Sequence, residues 1–135
     1  MKLFKTGLLA ALAMCVALPA AAETFATFSD AQQAAKDAGK PLLIDFYTDW
    51  CGPCKAFTKA TLDDADIQAS VGQFVLHKID AEKGAGIELA KQYRIGSYPT
   101  YLVLNTDGEI ADRWAGYEKS FFMEGAKGDL SDQTS

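Results

Sequence analysis

The sequence is poor in the residues from which metal centres and disulfide frameworks are built. Its 135 residues include three cysteines and a single histidine, His77. A structural zinc site takes four ligands. Two neighbouring cysteines and a histidine in the middle of an apolar stretch do not supply them, so no metal is expected. Basic residues are also scarce, with 13 Lys and Arg against 18 Asp and Glu and a formal net charge of −5. No cluster of them reverses this balance locally. Phosphate contacts need Lys and Arg, which excludes nucleic acid as a partner, and an anionic membrane surface offers no attraction. No repeat of 20–50 residues is visible. No uncharged apolar run approaches the ~20 residues of a spanning helix. The length suits one small domain, large enough to fold without cross-links.

The apolar run that does exist sits at the N-terminus. Lys2 and Lys5 precede it, Gly7 to Leu18 carry no charge, Pro19 breaks it, and Ala20, Ala21 and Ala22 supply small residues. This is the layout of a secretory signal peptide cut after Ala22. The expected organisation is a signal peptide over 1–22, a domain over 23–128 and a polar tail over 129–135. Met14 is too bulky for a lipoprotein signal before Cys15, so Cys15 is expected to leave with the signal. Cleavage removes two lysines, leaving 11 basic against 18 acidic residues, and the net charge moves from −5 to −7. The expected location is the periplasm or the medium. An oxidising compartment preserves disulfides, yet the mature chain keeps only Cys51 and Cys54. A bridge across two intervening residues closes too short a loop to stabilise much, which favours a redox role over a structural one.

Hydrophobic spacing lays out the elements. Ser29 and Asp30 read as caps for a helix through Lys36, ended by Gly39. Leu42 to Tyr47 reads as a buried strand in which Asp45 is out of place. Ala56 to Ala60 is helical, and Asp63, Asp64 and Asp66 suit the start of a further piece through Val71. Phe74 to Ile79 is a strand, Ile87 to Tyr93 a helix, and Thr100 to Leu104 a strand. The turn Asn105 to Gly108 joins it to a strand from Glu109 to Trp114, and Glu118 to Lys127 is a last helix. The first half alternates and implies a parallel crossover, while the second half is a hairpin. The expected fold class is therefore α/β, with a mixed sheet and helices packed on it.

Cys51 and Cys54 follow a strand and open a helix. A sulfur at a helix N-terminus faces unpaired backbone N–H groups and the positive end of the dipole. It ionises more readily there, and the thiolate is the reactive form. Cys51 comes first and is the expected nucleophile. Cys54, one turn in, is expected to stay buried and to resolve the mixed disulfide formed at Cys51. Pro53 suits the first helical turn, where its missing N–H costs nothing.

The segment from Leu42 through Trp50-Cys51-Gly52-Pro53-Cys54-Lys55 closely resembles the active-site segment of thioredoxins. Tyr93 to Thr100, with Pro99, resembles the family's second signature, and Gly108 to Gly116 resembles its final hairpin strand. The resemblance runs from about Phe28 to Lys127. It implies the thioredoxin fold, a central mixed sheet flanked by helices on both faces. It also implies a protein-disulfide reductase whose only redox group is the Cys51–Cys54 disulfide, with no other cofactor. Asp45 falls on the buried carboxylate that exchanges protons with the resolving cysteine, and Pro99 on a cis-proline beside the cysteines. Trp50, Gly52, Pro53, Tyr98 and Gly116 fall on the surface that docks an extended substrate peptide.

Two departures matter. The lysine that thioredoxins place near the buried aspartate aligns with Leu76, so Asp45 is expected to lack its charge partner. Lys78, on the same face but nearer the strand end, is expected to substitute only in part. Tyr98 stands where cytosolic thioredoxins carry a smaller aliphatic residue. The leading expectation is a monomeric periplasmic reductase of protein disulfides, recharged by a membrane thiol-transfer protein. A disulfide oxidase or isomerase of the same fold, and a redox-inert binding module, are the alternatives.

Overall fold

The computed structural model describes residues 24–128. The expected signal peptide with Cys15, and the polar tail from residue 129, lie outside the described residues. Nine elements follow in the order α1 (Phe28–Ala38), β1 (Leu42–Tyr47), α2 (Gly52–Asp63), α3 (Ala65–Val71), β2 (Val75–Asp80), α4 (Ala85–Gln92), β3 (Thr100–Leu104), β4 (Ile110–Ala115) and α5 (Lys119–Ala126).

Local chemistry accounts for the boundaries. α1 is capped by Thr27, whose side chain accepts from the Asp30 N–H while the Asp30 carboxylate accepts from the Thr27 N–H. This reciprocal capping box corrects the expectation that Ser29 and Asp30 are the caps: Asp30 works from the third helical position. Gly39 ends the helix in the left-handed region, where a Cβ would be strained. Asp64 closes α2 and opens α3, its carboxylate accepting the N–H groups of Asp66 and Ile67. That one residue turns the chain between two helices.

The sheet order is β2-β1-β3-β4. β1 runs parallel to β2 and antiparallel to β3, and β3 pairs antiparallel with β4. β1 is hydrogen-bonded on both edges and covered on both faces, which is why it reads as a nearly continuous apolar run. Its even positions, Leu42, Ile44 and Phe46, pack with Ala31 and Ala35 of α1, Ala90 of α4, and Leu102 and Leu104 of β3. Its odd position Leu43 packs on the opposite face with Phe57 and Ala60 of α2, Ile67 of α3, Tyr101, Trp114 and Phe122 of α5. The helices thus flank a mixed sheet on both faces, and the fold is the thioredoxin fold. The two-residue alternation of a strand also decides where Asp45 goes. It shares the face of Leu43 and lies on the α2 side.

Close helix–strand approach fixes α4. A Cβ on Gly86 would collide with the carbonyl oxygen of Asp80 and lie 2.9 Å from Cγ2 of Ile79. Gly86→Ala is expected to lower unfolding free energy by about 1–3 kcal/mol, the usual cost of overpacking. Gly96→Ala, where a Cβ meets nothing within 4 Å, should change it by less than about 0.5 kcal/mol. Urea denaturation of both variants checks the contrast, and equal effects would contradict the packing argument.

Candidate redox site

β1 delivers the chain to a short loop, Thr48 to Trp50, that turns into α2. The N–H of Cys51 donates to the Thr48 carbonyl at 3.3 Å, and Cys51 takes an extended conformation as the N-cap of α2. Its sulfur fills the role that Ser or Asp usually plays there, accepting the N–H of Cys54 at 3.2 Å. Pro53 sits in the first turn, and no acidic residue does, so nothing competes for the positive helix end. Cys51 and Cys54 form a disulfide with a Cα–Cα distance of 5.3 Å. Their exposures, 3% and 2%, do not separate them. What separates them is position: Cys51 caps the helix, and Cys54 lies within its first turn.

Asp45 is fully buried on the α2 side of the sheet. Neither carboxylate oxygen has a hydrogen-bond partner among the described residues. A buried carboxylate in this condition resists ionisation. Desolvation raises its pKa from 3.8 to about 6, and the Lys78 charge limits the rise. The parallel register places Lys78 directly opposite Asp45, with Nζ 3.6 Å from Oδ2. This corrects the expectation of a missing partner: the lysine comes from two positions further along β2, where the register and the shared face bring it to the carboxylate. Tyr101 is opposite Asp45 on the β3 side. Its hydroxyl is buried without a partner, and burial, then the nearby carboxylate, hold its pKa far above the ordinary value.

The remaining candidate residues differ in exposure: Trp50, Gly52 and Pro53 are exposed, Tyr98 and Gly116 are half-buried, and Pro99 is buried. Trp50 is 67% exposed, and its indole N–H donates to the Glu82 carboxylate at 3.1 Å. Its ring stands edge-on to Tyr98, with centroids 6.0 Å apart. The Tyr98–Pro99 peptide bond is cis. Gly116, with φ of 86°, donates its N–H to the Pro99 carbonyl at 2.8 Å. That amide is therefore committed to holding the cis-proline rather than free for a ligand. Gly52 and Pro53 are exposed on the same helix start. His77 lies elsewhere, on β2 against Phe25 and Phe28.

Residues 22–106 match the family described as thioredoxin-like. The chain belongs to the thioredoxin-like family. Within it, the thiol:disulfide interchange protein DsbD of Salmonella typhimurium is 38% identical over 80 residues, covering 58% of this chain and 14% of that protein. Thioredoxin Y2, chloroplastic, of Arabidopsis thaliana is 35% identical over 94 residues, covering 70% of this chain and 52% of that one. The solution structure of a candidate disulphide-isomerase from Bacteroides thetaiotaomicron superposes with a TM-score of 0.64 at 36% identity, covering 81% and 89% of the two chains. The chain thus spans only a small part of the interchange proteins it matches.

Two contacts of this thioredoxin-like site were not visible in the sequence. Glu82 anchors Trp50 across 32 positions, and Thr58 accepts a hydrogen bond from Lys78. Only the strand register could have announced the Lys78 contacts, by setting Asp45 opposite Lys78.

The Asp45 shift has a thermodynamic consequence. A folded-state pKa of about 6 against 3.8 means that the native state binds the proton more tightly. The stabilisation from protonated Asp45 is complete below about pH 4 and is lost as pH rises through about 6. Asp45→Asn is therefore expected to stabilise the protein by about 2–3 kcal/mol at pH 8 and by almost nothing at pH 3.5. Urea unfolding at the two pH values measures this, and a gain independent of pH would contradict it.

Proposed function

We propose that this protein is an exported thiol–disulfide oxidoreductase that reduces disulfides in other proteins. The single observation that carries the reading is the Cys51–Cys54 disulfide at the start of α2, with the Cys51 sulfur capping that helix. The dithiol–disulfide couple is the redox group, and the chemistry asks for no metal or other cofactor.

In the reduced protein, the Cys51 thiolate attacks one sulfur of the substrate disulfide. A mixed disulfide forms, and the other substrate sulfur leaves with its electron pair and takes a proton from water. The Cys54 thiol then gives its proton to the Asp45 carboxylate. The Cys54 thiolate attacks Cys51, forming the internal disulfide and expelling the second substrate sulfur as a thiolate, which takes a proton from water. Two electrons pass from the protein to the substrate, and two S–H bonds form where one S–S bond stood. Asp45 suits the proton step because burial keeps its pKa near the working pH, where a general base is most effective. Trp50, Gly52, Pro53, Tyr98, Pro99 and Gly116 line the docking face. The Tyr98 backbone is the edge on which an extended substrate strand would pair.

The reducing direction is supported by Gly52-Pro53 between the cysteines, which places no cationic side chain there to stabilise the thiolate of Cys51. The signal-like N-terminus of the sequence supports action in the periplasm. Such a protein needs a source of electrons outside the cytosol, for which a membrane thiol-transfer protein is the natural donor. The chain is expected to act as a monomer.

The reduction potential of the Cys51/Cys54 couple, titrated against dithiothreitol or glutathione buffers, tests the direction. A value near the about −270 mV of reducing thioredoxins is expected. A value near the about −120 mV of strong periplasmic oxidants would contradict the reductase and favour a donor of disulfides.

A further inference from the structure

A groove of about 520 Å³ opens onto Cys54, Thr58, Lys78 and Tyr47. It shares no residue with the docking face described above. Two hydrogen bonds link its residues. The Thr58 hydroxyl donates to the Cys54 carbonyl at 3.1 Å. A hydroxyl has one proton, and this one is committed, which leaves the oxygen lone pairs of Thr58 to accept. Lys78 Nζ donates to that oxygen. The same ammonium lies 3.6 Å from Asp45 Oδ2 and 5.2 Å above the Tyr47 ring.

Lysine has a long flexible stem and a strongly hydrated head that seeks water. Lys78 is a third exposed, so the groove offers that escape. The 3.6 Å separation from Asp45 is too long for a hydrogen bond, and an aromatic face alone is a weak restraint at an exposed site. The directional bond that remains is the one to Thr58.

We propose that Thr58 is the positioning residue of the proton site: its hydroxyl fixes the Lys78 ammonium beside Asp45 and ties the pair to the helical turn of Cys54. This rests on the reading of Cys54 as the resolving cysteine and Asp45 as its proton acceptor. In that step the Cys54 proton goes to Asp45, the new S–S bond joins Cys54 to Cys51, and the bond from Cys51 to substrate breaks. Asp45 then returns the proton to water. The titratable groups that interact with Asp45 are Lys78 on β2, Tyr101 on β3 and Tyr47 on its own strand, while Cys54, Lys55 and Lys59 line the groove with Lys78. Lys78 is the cation that favours the Asp45 carboxylate, so its placement sets how readily the carboxylate forms.

Thr58→Val keeps the shape and removes the hydroxyl, while Thr58→Ser keeps the hydroxyl. The titration of the Asp45 carboxyl carbon is followed by NMR in the oxidised protein, with no substrate present. The midpoint is expected to rise by roughly half a unit in Thr58→Val, about a threefold change in proton affinity, and to stay at the wild-type value in Thr58→Ser. A Thr58→Val midpoint equal to wild type overturns the proposal. So does a Thr58→Ser midpoint that moves as far as the valine variant's, since that would be packing rather than hydrogen bonding. A second readout is the single-turnover release of a peptide held on Cys51 as a mixed disulfide. Its half-maximal pH should rise in Thr58→Val with the plateau rate unchanged. An NMR shift without a shift in this profile would leave the positioning intact and overturn the role of Asp45 as proton acceptor.

Discussion

The site depends on the Cys54 N–H directed at the sulfur of Cys51. A helix leaves its first N–H groups unpaired, and most helices satisfy one with an oxygen at the N-cap. Here the cap is a sulfur, so the interaction that begins α2 is also the one that stabilises negative charge on the reactive atom. Fold and chemistry share it. The capping geometry requires Cys51 to be extended and Cys54 to be three residues on, which is the spacing that lets the two sulfurs join. The loop from Thr48, the proline in the first turn and the lack of an acidic residue there all serve this contact.

The second constraint is the alternation of side chains along β1. Burying a carboxylate without a hydrogen bond is costly, and Leu43, Asp45 and Tyr47 must share a face. Given that β1 is central, Asp45 has no route to solvent along the sheet. It lies on the α2 side of the sheet, where Lys78 and Tyr101 are its polar neighbours. The cost in stability and the raised pKa are one quantity, seen as folding energy in one case and as proton affinity in the other. In the proposed mechanism Asp45 accepts a proton near neutral pH, and such a site retains an interaction that a purely structural core would replace. The even positions of the same strand, Leu42, Ile44 and Phe46, are all apolar, and no such compromise occurs at them.

The strands and most helices were legible because their causes are local. Leu42–Tyr47 and Thr100–Leu104 stand out by composition, and both strands fall where their apolar runs fall. The cysteine pair was legible for the same reason, being adjacent in sequence. Contacts that depend on register were harder to see. Alignment on the strand end puts Leu76 at the usual lysine position, and only the parallel ladder shows that Lys78 stands opposite Asp45, where it offsets the burial only in part. Thr58 carried no signal, since a threonine at the surface of a helix is ordinary until a lysine from another strand reaches it. The α1 cap was misplaced by two residues because Thr27, Ser29 and Asp30 are all good capping types, and only the backbone geometry decides among them.

The division of labour between the cysteines is the central claim, and exposure does not establish it, because both are buried in the oxidised protein. Its most direct test is the site of alkylation when the fully reduced protein meets less than one equivalent of iodoacetamide at neutral pH, read by peptide mass spectrometry. The account predicts that the label falls on Cys51, the sulfur that caps α2. Label on Cys54, or shared equally between the two, would contradict it.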